Sequence, residues 1–411
     1  MPACTRQAQE GVRLHSKPRP ASNDTMFADR TKWNLEPNLL SEALTRHREA
    51  GKPLLDLTVS NPTQCGFAYD ERAILDALGN PSGLSYTPEP RGLVSARQAV
   101  RAYYRDRGVS VCVEDIFLTT STSEAYSYVF RLLCNPGDEI LIPAPSYPLF
   151  DFLADIQDVK PVRYPLVYDH GWQIDFRALE RAMTLRTRAI VVVHPNNPTG
   201  HFTKRAEAEK SNTICAERGL ALIVDEVFLD FFLSAERPSS FAKNSDTLAF
   251  TLSGISKICG LPQMKAAWLA VSGPQESKEE AKARLEVIAD TFLSMSAPVQ
   301  LALPAFLSQG RAFQKQLIER VSRNLAELDR QLSLQEICSR LEVEGGWYAV
   351  LRVPATRPDE DLALALLNEK GVYVHPGHFF DFPRDGFLVV SLISRDAEFS
   401  RGLTSLLEFF H

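Results

Sequence analysis

The stretch Leu252-Ser253-Gly254-Ile255-Ser256-Lys257 decides how this chain is read. It follows a strand-like run, Thr247 to Thr251, so its lysine stands just past the end of a strand. A lysine works as a nucleophile only when part of its population is neutral, which burial and nearby positive charge promote. Two further sites lie upstream. Asp225 closes the apolar run Leu222-Ile223-Val224, and the turn Asn197-Pro198-Thr199-Gly200 follows the run Val191 to Val193. Each has an ordinary explanation taken singly: a surface lysine, a salt-bridged or capping acid, and a proline-forced turn. Their order and their shared position at strand ends give them a common meaning.

The chain around them alternates strand and helix. Strands are expected over residues 54–59, 115–119, 139–142, 159–164, 189–193 and 220–224, with helices over 122–133, 147–156, 176–183 and 204–218 between the later ones. The runs Ala189 to Val193 and Leu220 to Val224 have no polar alternation, as suits parallel strands covered on both faces. The fold class is therefore α/β. The character changes after about residue 295. A long helix over 299–332 leads into a small α+β segment with strands at 347–353, 372–374 and 387–393. The expected division is a large domain at 61–295 and a small one combining 27–60 with 296–411.

Composition narrows the class. Hydrophobic residues make up 45% and charged ones 23%, which are ordinary globular values. The net charge of −6 invites neither nucleic acid nor an anionic membrane surface. The arginine clusters at 97–107 and 181–188 read as solvated helix faces. Seven scattered cysteines (Cys4, Cys65, Cys112, Cys134, Cys215, Cys259 and Cys338) without CxxC pairing suit buried thiols, no metal site and a cytoplasmic setting. The first 25 residues lack the apolar region of a secretory signal. They read as a disordered or extended tail over 1–26, a transit peptide, or an upstream start with Met26 as the true beginning. No stretch approaches the ~18 apolar residues of a membrane span.

Two more strand-to-helix corners carry polar groups. Ser121-Thr122-Ser123-Glu124 has the spacing of a capping box, and a hydroxyl-rich helix start is also a ready phosphate site. Tyr147, in Pro145-Ser146-Tyr147-Pro148, either stacks on a flat ring or packs in the core. Lys265 is a candidate phosphate partner or a surface lysine.

Together these motifs resemble the fold type I pyridoxal phosphate enzymes, specifically the class I/II aminotransferases. The resemblance runs from about Phe27 to His411. It rests on Asn197-Pro198-Thr199-Gly200, Asp225-Glu226-Val227 and Ser253-Gly254-Ile255-Ser256-Lys257, supported by Tyr86 with Gly92, Pro145-Ser146-Tyr147, Gly345-Gly346 and Val374-His375-Pro376-Gly377. It implies a large domain with a mostly parallel seven-stranded sheet covered by helices, and a smaller α+β domain. It implies that Lys257 carries pyridoxal 5′-phosphate as a Schiff base and moves the substrate proton, while Asp225 keeps the ring nitrogen protonated. Asn197 would bond the phenolic oxygen and Tyr147 would stack on the ring. Ser121, Thr122, Ser123, Ser253, Ser256 and Lys265 would surround the cofactor, mostly at its phosphate. Tyr86 would reach in from the second subunit of a homodimer with shared active sites, and Asn61 would line the substrate side.

Two positions depart from the family. Phe228 stands where a tyrosine usually donates to the phenolic oxygen, so the Schiff base is expected to have a higher pKa than is usual. Val389 stands where an arginine usually grips the substrate carboxylate. Arg30, Arg91 and Arg395 are the candidate replacements, unless the amino substrate lacks a carboxylate there. Gln64, Phe67, Trp33, Phe379 and Phe380 suggest an uncharged side-chain pocket or ordinary core packing. The expected activity is transamination between a small neutral, branched or aromatic amino acid and a 2-oxo acid. The same residues would serve a β-eliminating lyase or a decarboxylase, and a non-catalytic amine-sensing module is a third reading.

Overall fold

The computed structural model describes residues 26–235 and 237–411. The expected tail, apart from Met26, and Cys4 lie outside the described residues. Along the chain, β1 (Leu55–Asp56) precedes β2 (Ile116–Thr119), β3 (Glu139–Ala144), β4 (Lys160–Tyr168), β5 (Trp172–Ile174), β6 (Thr187–Val193) and β7 (Ala221–Asp225). There follow β8 (Ala249–Gly254), β9 (Ala267–Ser272), β10 (Ser339–Arg340), β11 (Tyr348–Arg352), β12 (Val372–Tyr373), β13 (His375–Pro376) and β14 (Phe387–Ser391).

The main sheet has eight strands in the order β2-β9-β8-β7-β6-β3-β4-β5. Pairings from β8 through β4 are parallel, while β9 runs antiparallel to both its neighbours. The count exceeds the expected seven because β4 continues to Tyr168 and the chain turns back as β5, pairing Leu166 with Ile174. Alternate residues feed opposite faces, as the pleat requires. Ile140, Val191, Ile223 and Phe250 join one hydrophobic cluster. Leu141, Ile190, Val192, Leu222 and Val224 join another, which continues into the small sheet through Trp347, Val389 and Phe399. Both faces are thus covered, which explains the unbroken apolar runs in the sequence.

The small antiparallel sheet has the order β10-β11-β14-β13, and β1 pairs in parallel with β12 beside it. One 36-residue helix, Ala297–Leu332, ties the two sheets together. Gln314 donates to the Ile258 carbonyl at 2.9 Å, beside the main sheet. Asn324, further along, donates to the carbonyls of Leu392 and Ser394 at 2.8 Å each, beyond the end of β14.

The arginines at 97–107 are not all solvated. Arg97 is buried, donating to the carbonyls of Gly92 and Val113, and Arg107 closes a fork onto buried Asp230 at 2.6 and 2.8 Å. Tyr103 also donates to Asp230. Fixed acceptors satisfy each guanidinium, which lets Arg97 be buried and Arg107 be mostly so. No helix among the described residues is long and apolar enough to cross a membrane.

Candidate active site

The parallel strands β6, β7 and β8 end side by side, and the three motifs leave from those ends. Val193 pairs with Asp225, and Asp225 pairs with Leu252. The register therefore sets the Asn197 turn, the acid and the lysine motif along one edge of the sheet. Such an edge, at the carboxyl ends of parallel strands, is where α/β sheets bind ligands.

Asp225 accepts from the Tyr126 hydroxyl at 3.2 Å and from the Val227 backbone N–H at 3.1 Å. Burial pushes its carboxyl up to about 6, against the pull of those two donors and of Lys257. Lys257 is half-buried and, among the described residues, makes no hydrogen bond or ion pair. Burial draws its amine down to about 8, with Asp225 holding it up. Its Nζ lies 4.9 Å from the ring centroid of Trp347 and 5.8 Å from that of Phe228. Those two rings meet edge to face at 4.8 Å, and Trp347 is fully buried. The amine thus faces an aromatic wall shared by the end of β7 and the start of β11.

Asn197 is buried and its Oδ1 has no partner among the described residues. Ser253 is buried under Glu226, with Oγ 3.5 Å from the Glu226 carbonyl oxygen. Ser121 caps the helix Thr122–Leu133 by accepting from the Glu124 N–H at 3.1 Å, and Glu124 in turn accepts from the Thr120 N–H. Thr122 and Ser123 are partly exposed at that helix start, as are Tyr147 after β3 and Ser256 in the lysine motif. Lys265 is exposed and adopts the left-handed backbone conformation, φ 52°. An unpartnered buried amide, a depressed amine, a raised acid and a hydroxyl-bearing helix start match what pyridoxal phosphate presents: an oxygen, an aldehyde carbon, a ring nitrogen and a phosphate. The residues present fit that group.

The Asn197 turn is closed by the small sheet's own loop. A side chain at Gly200, where φ is +70°, would come within 2.7 Å of the Gly345 carbonyl oxygen. Gly345 is as restricted, against the Phe202 ring and the Phe231 carbonyl. Phe202 donates its N–H to Glu344 at 2.8 Å. Close backbone approach explains the glycines of both motifs.

The proposed carboxylate grips fare differently. Arg30 is half-exposed and paired with Asp158. Arg91 is held by Glu286 at 3.1 Å and by the Glu114 carbonyl at 2.9 Å. The Arg91 fork is thereby fully committed, whereas Arg30 places one guanidinium nitrogen in its ion pair. Arg395 is exposed, with its guanidinium against Gly66 and no ion pair among the described residues. Asn61 uses its side chain to accept from Thr63 at 2.8 and 3.2 Å. Val389 is fully buried, between Val350 and His375. Tyr86 is 78% exposed. Trp33 packs on Phe152 and donates to Asp155, and Phe67 packs on Phe313, so both serve packing. Tyr126 and Trp347 had no local signal that marked them for the site.

A family model for aminotransferase class I and II matches residues 52–399. The glutamate-pyruvate aminotransferase AlaA of Escherichia coli (strain K12) is 29% identical over 371 residues, covering 88% of this chain and 91% of that protein. The alanine aminotransferase of Mycobacterium bovis is 30% identical over 346 residues, covering 81% and 80%. Among solved structures, an aminotransferase from Escherichia coli aligns with TM-score 0.81 at 25% identity, covering 96% of this chain and 98% of that one. The fold, the strand-end edge and these matches agree that the chain belongs to the class I and II aminotransferases, as a pyridoxal phosphate-dependent transaminase acting on an amino acid and a 2-oxo acid.

Proposed function

We propose that this transaminase takes a small neutral amino acid, such as alanine, and that Lys257, Asp225 and Asn197 carry its chemistry. One observation supports the chemical assignment most: a raised acid closes β7 and a depressed amine stands just past the end of β8, its paired neighbour. The bound cofactor supplies an electron-accepting ring. Asp225 holds a proton at the ring nitrogen, with Tyr126 and the Val227 N–H fixing its orientation. Asn197 bonds the ring oxygen with its side-chain amide. Lys257, partly neutral near pH 8, takes and returns the proton on the substrate carbon. Ser121, Thr122, Ser123, Ser253, Ser256 and Lys265 receive the phosphate end, and Tyr147 covers the ring face.

The aromatic wall of Trp347 and Phe228 supports an uncharged side chain on the substrate. So does the name of one relative, an alanine aminotransferase, while that of the other, a glutamate-pyruvate aminotransferase, pairs an acidic amino acid with the keto acid of alanine. A homodimer completing the site with Tyr86 is supported by the exposure of Leu84 (94%) beside it. A cytosolic setting is supported by six free cysteines among the described residues. The test is a half-reaction: holo-protein is mixed with single amino acids and the cofactor absorbance followed. Alanine and its neutral homologues should convert the cofactor to its amine form and release a keto acid. Ammonia release without that conversion, or conversion by acidic or basic amino acids alone, overturns the reading.

A further inference from the structure

We propose that His375 is the specificity-determining group that receives the substrate's carboxylate in this enzyme. The proposal rests on the reading of the substrate as an α-amino acid. Three observations carry it. First, β13 pairs with β14 so that His375 lies directly opposite Val389, and directly opposed residues of an antiparallel pair share a face of the sheet. Second, that face looks toward the main sheet. Phe387, two residues before Val389, packs on Phe382, and Phe382 meets Trp172 of β5. The Ser146 N–H donates to the Phe380 carbonyl at 2.8 Å, and the Phe380 ring lies 5.8 Å from the imidazole. Asn196, next to Asn197, lies 3.4 Å from the Ser146 hydroxyl. A short run of contacts therefore leads from the turn holding Asn197 to His375.

Third, His375 is 5% exposed and neither ring nitrogen has a partner among the described residues. Its surroundings are the rings of Tyr373, Phe379 and Phe380 and the side of Val389. Buried polar side chains without partners are rare, and each calls for an explanation. A core position would be filled better by leucine or phenylalanine. A histidine kept there has a use for a donor, and burial, which draws its pKa down to about 4, keeps it a neutral ring with one N–H to give. A carboxylate seated beside Val389 meets that N–H. Valine supplies the space and histidine the hydrogen bond, where an arginine would fill both roles at once. A neutral donor holds a carboxylate less firmly than a bidentate cation does, so weak ground-state binding of small amino acids is expected.

The experiment compares the holoenzyme with His375→Phe, His375→Gln and Arg395→Ala. Each is assayed with L-alanine and with ethylamine, which is alanine without its carboxylate, and each is titrated with propionate by calorimetry. His375→Phe should raise KM for alanine and Kd for propionate by roughly 10- to 100-fold, the value of one hydrogen bond to a charged group. Its ethylamine rate should stay within about twofold, since the donor has no carboxylate to meet. His375→Gln should recover most of the loss, because its amide still donates. If His375→Phe leaves propionate binding intact, or if Arg395→Ala produces the loss instead, the assignment to His375 is overturned. If the unaltered enzyme uses ethylamine as readily as alanine, the amino-acid reading itself falls, and the two failures are distinct.

Discussion

On the main-sheet side of the cleft, Asp225 and Lys257 leave the ends of strands whose neighbours are paired on both edges. Their surroundings oppose each other in a useful way, raising the acid to about 6 and lowering the amine to about 8. On the small-sheet side stand Trp347, against the lysine, and the paired residues Val389 and His375, where β13 is two residues long. On the proposed reading, the first side holds the groups that move the substrate's proton. The second holds an apolar wall with one unpartnered imidazole. The contrast teaches that the reaction and the grip on its substrate are specified by different parts of the chain. The family resemblance spans both sides, but the departure at Val389 leaves the substrate grip to be worked out from the second side's own geometry.

The sharpest way to break this contrast is at Asp225. Replacing it with asparagine keeps the shape and removes the charge, so kcat should fall by about 10²- to 10³-fold. KM for alanine should change little, as measured by steady-state kinetics. A comparable rise in KM would mean that the main-sheet side also grips the substrate.

The seam between the two sides offers a pH test. His194, just past β6, is buried, accepts from the Thr203 N–H and contacts the Ser239 carbonyl. Burial draws its pKa from 6.5 down to about 3. A base with a depressed folded pKa contributes stability that is complete above its unfolded value and lost as pH falls toward the folded one. At pH 5 the loss is about 2 kcal/mol. Chemical denaturation of the wild type and His194→Gln at pH 7 and pH 5 should show the wild type losing that much more. The difference isolates His194 from His201, whose pKa Glu207 and Glu344 raise against the effect of burial. Equal losses in the two proteins would show that the seam does not feel His194.

A smaller effect is expected at Phe228, the one departure on the main-sheet side. Phe228→Tyr adds a donor near the cofactor's oxygen, and the pKa read from the cofactor absorbance should drop by about one unit. No shift would place that oxygen out of the residue's reach. The smallest effect is expected at the paired arginines. Arg30→Ala and Arg91→Ala should leave KM for alanine within about twofold, since exposed or partly exposed ion pairs contribute little. A larger change in either would return that arginine to the substrate side.

Much of the fold was legible because both signals are local. Apolar runs marked β6 and β7, and the helix at 299–332 was expected within two residues of its observed start at Ala297. The helix expected from Tyr147 begins instead at Phe150, because Pro148 interrupts the turn before it. Lys257, Asp225 and Asn197 could be picked out as candidates since each stands at or shortly past the end of a strand. Tyr126 could not, because its partner Asp225 is 99 residues away. Arg107 was misjudged as solvated for the same reason, Asp230 lying 123 residues on. His375 was visible in its motif, but the absence of a partner is a property of packing and exists only in the folded chain.

The helix Ala297–Leu332 has a consequence for anyone wishing to re-engineer this enzyme's selectivity. At 1.5 Å per residue it is about 54 Å long, and its allegiance changes between Gln314 and Asn324. A chimera that borrows another enzyme's small sheet should be spliced within those residues. The donor's sheet then arrives with the helical half that it packs on, and the recipient keeps the half that buttresses its lysine.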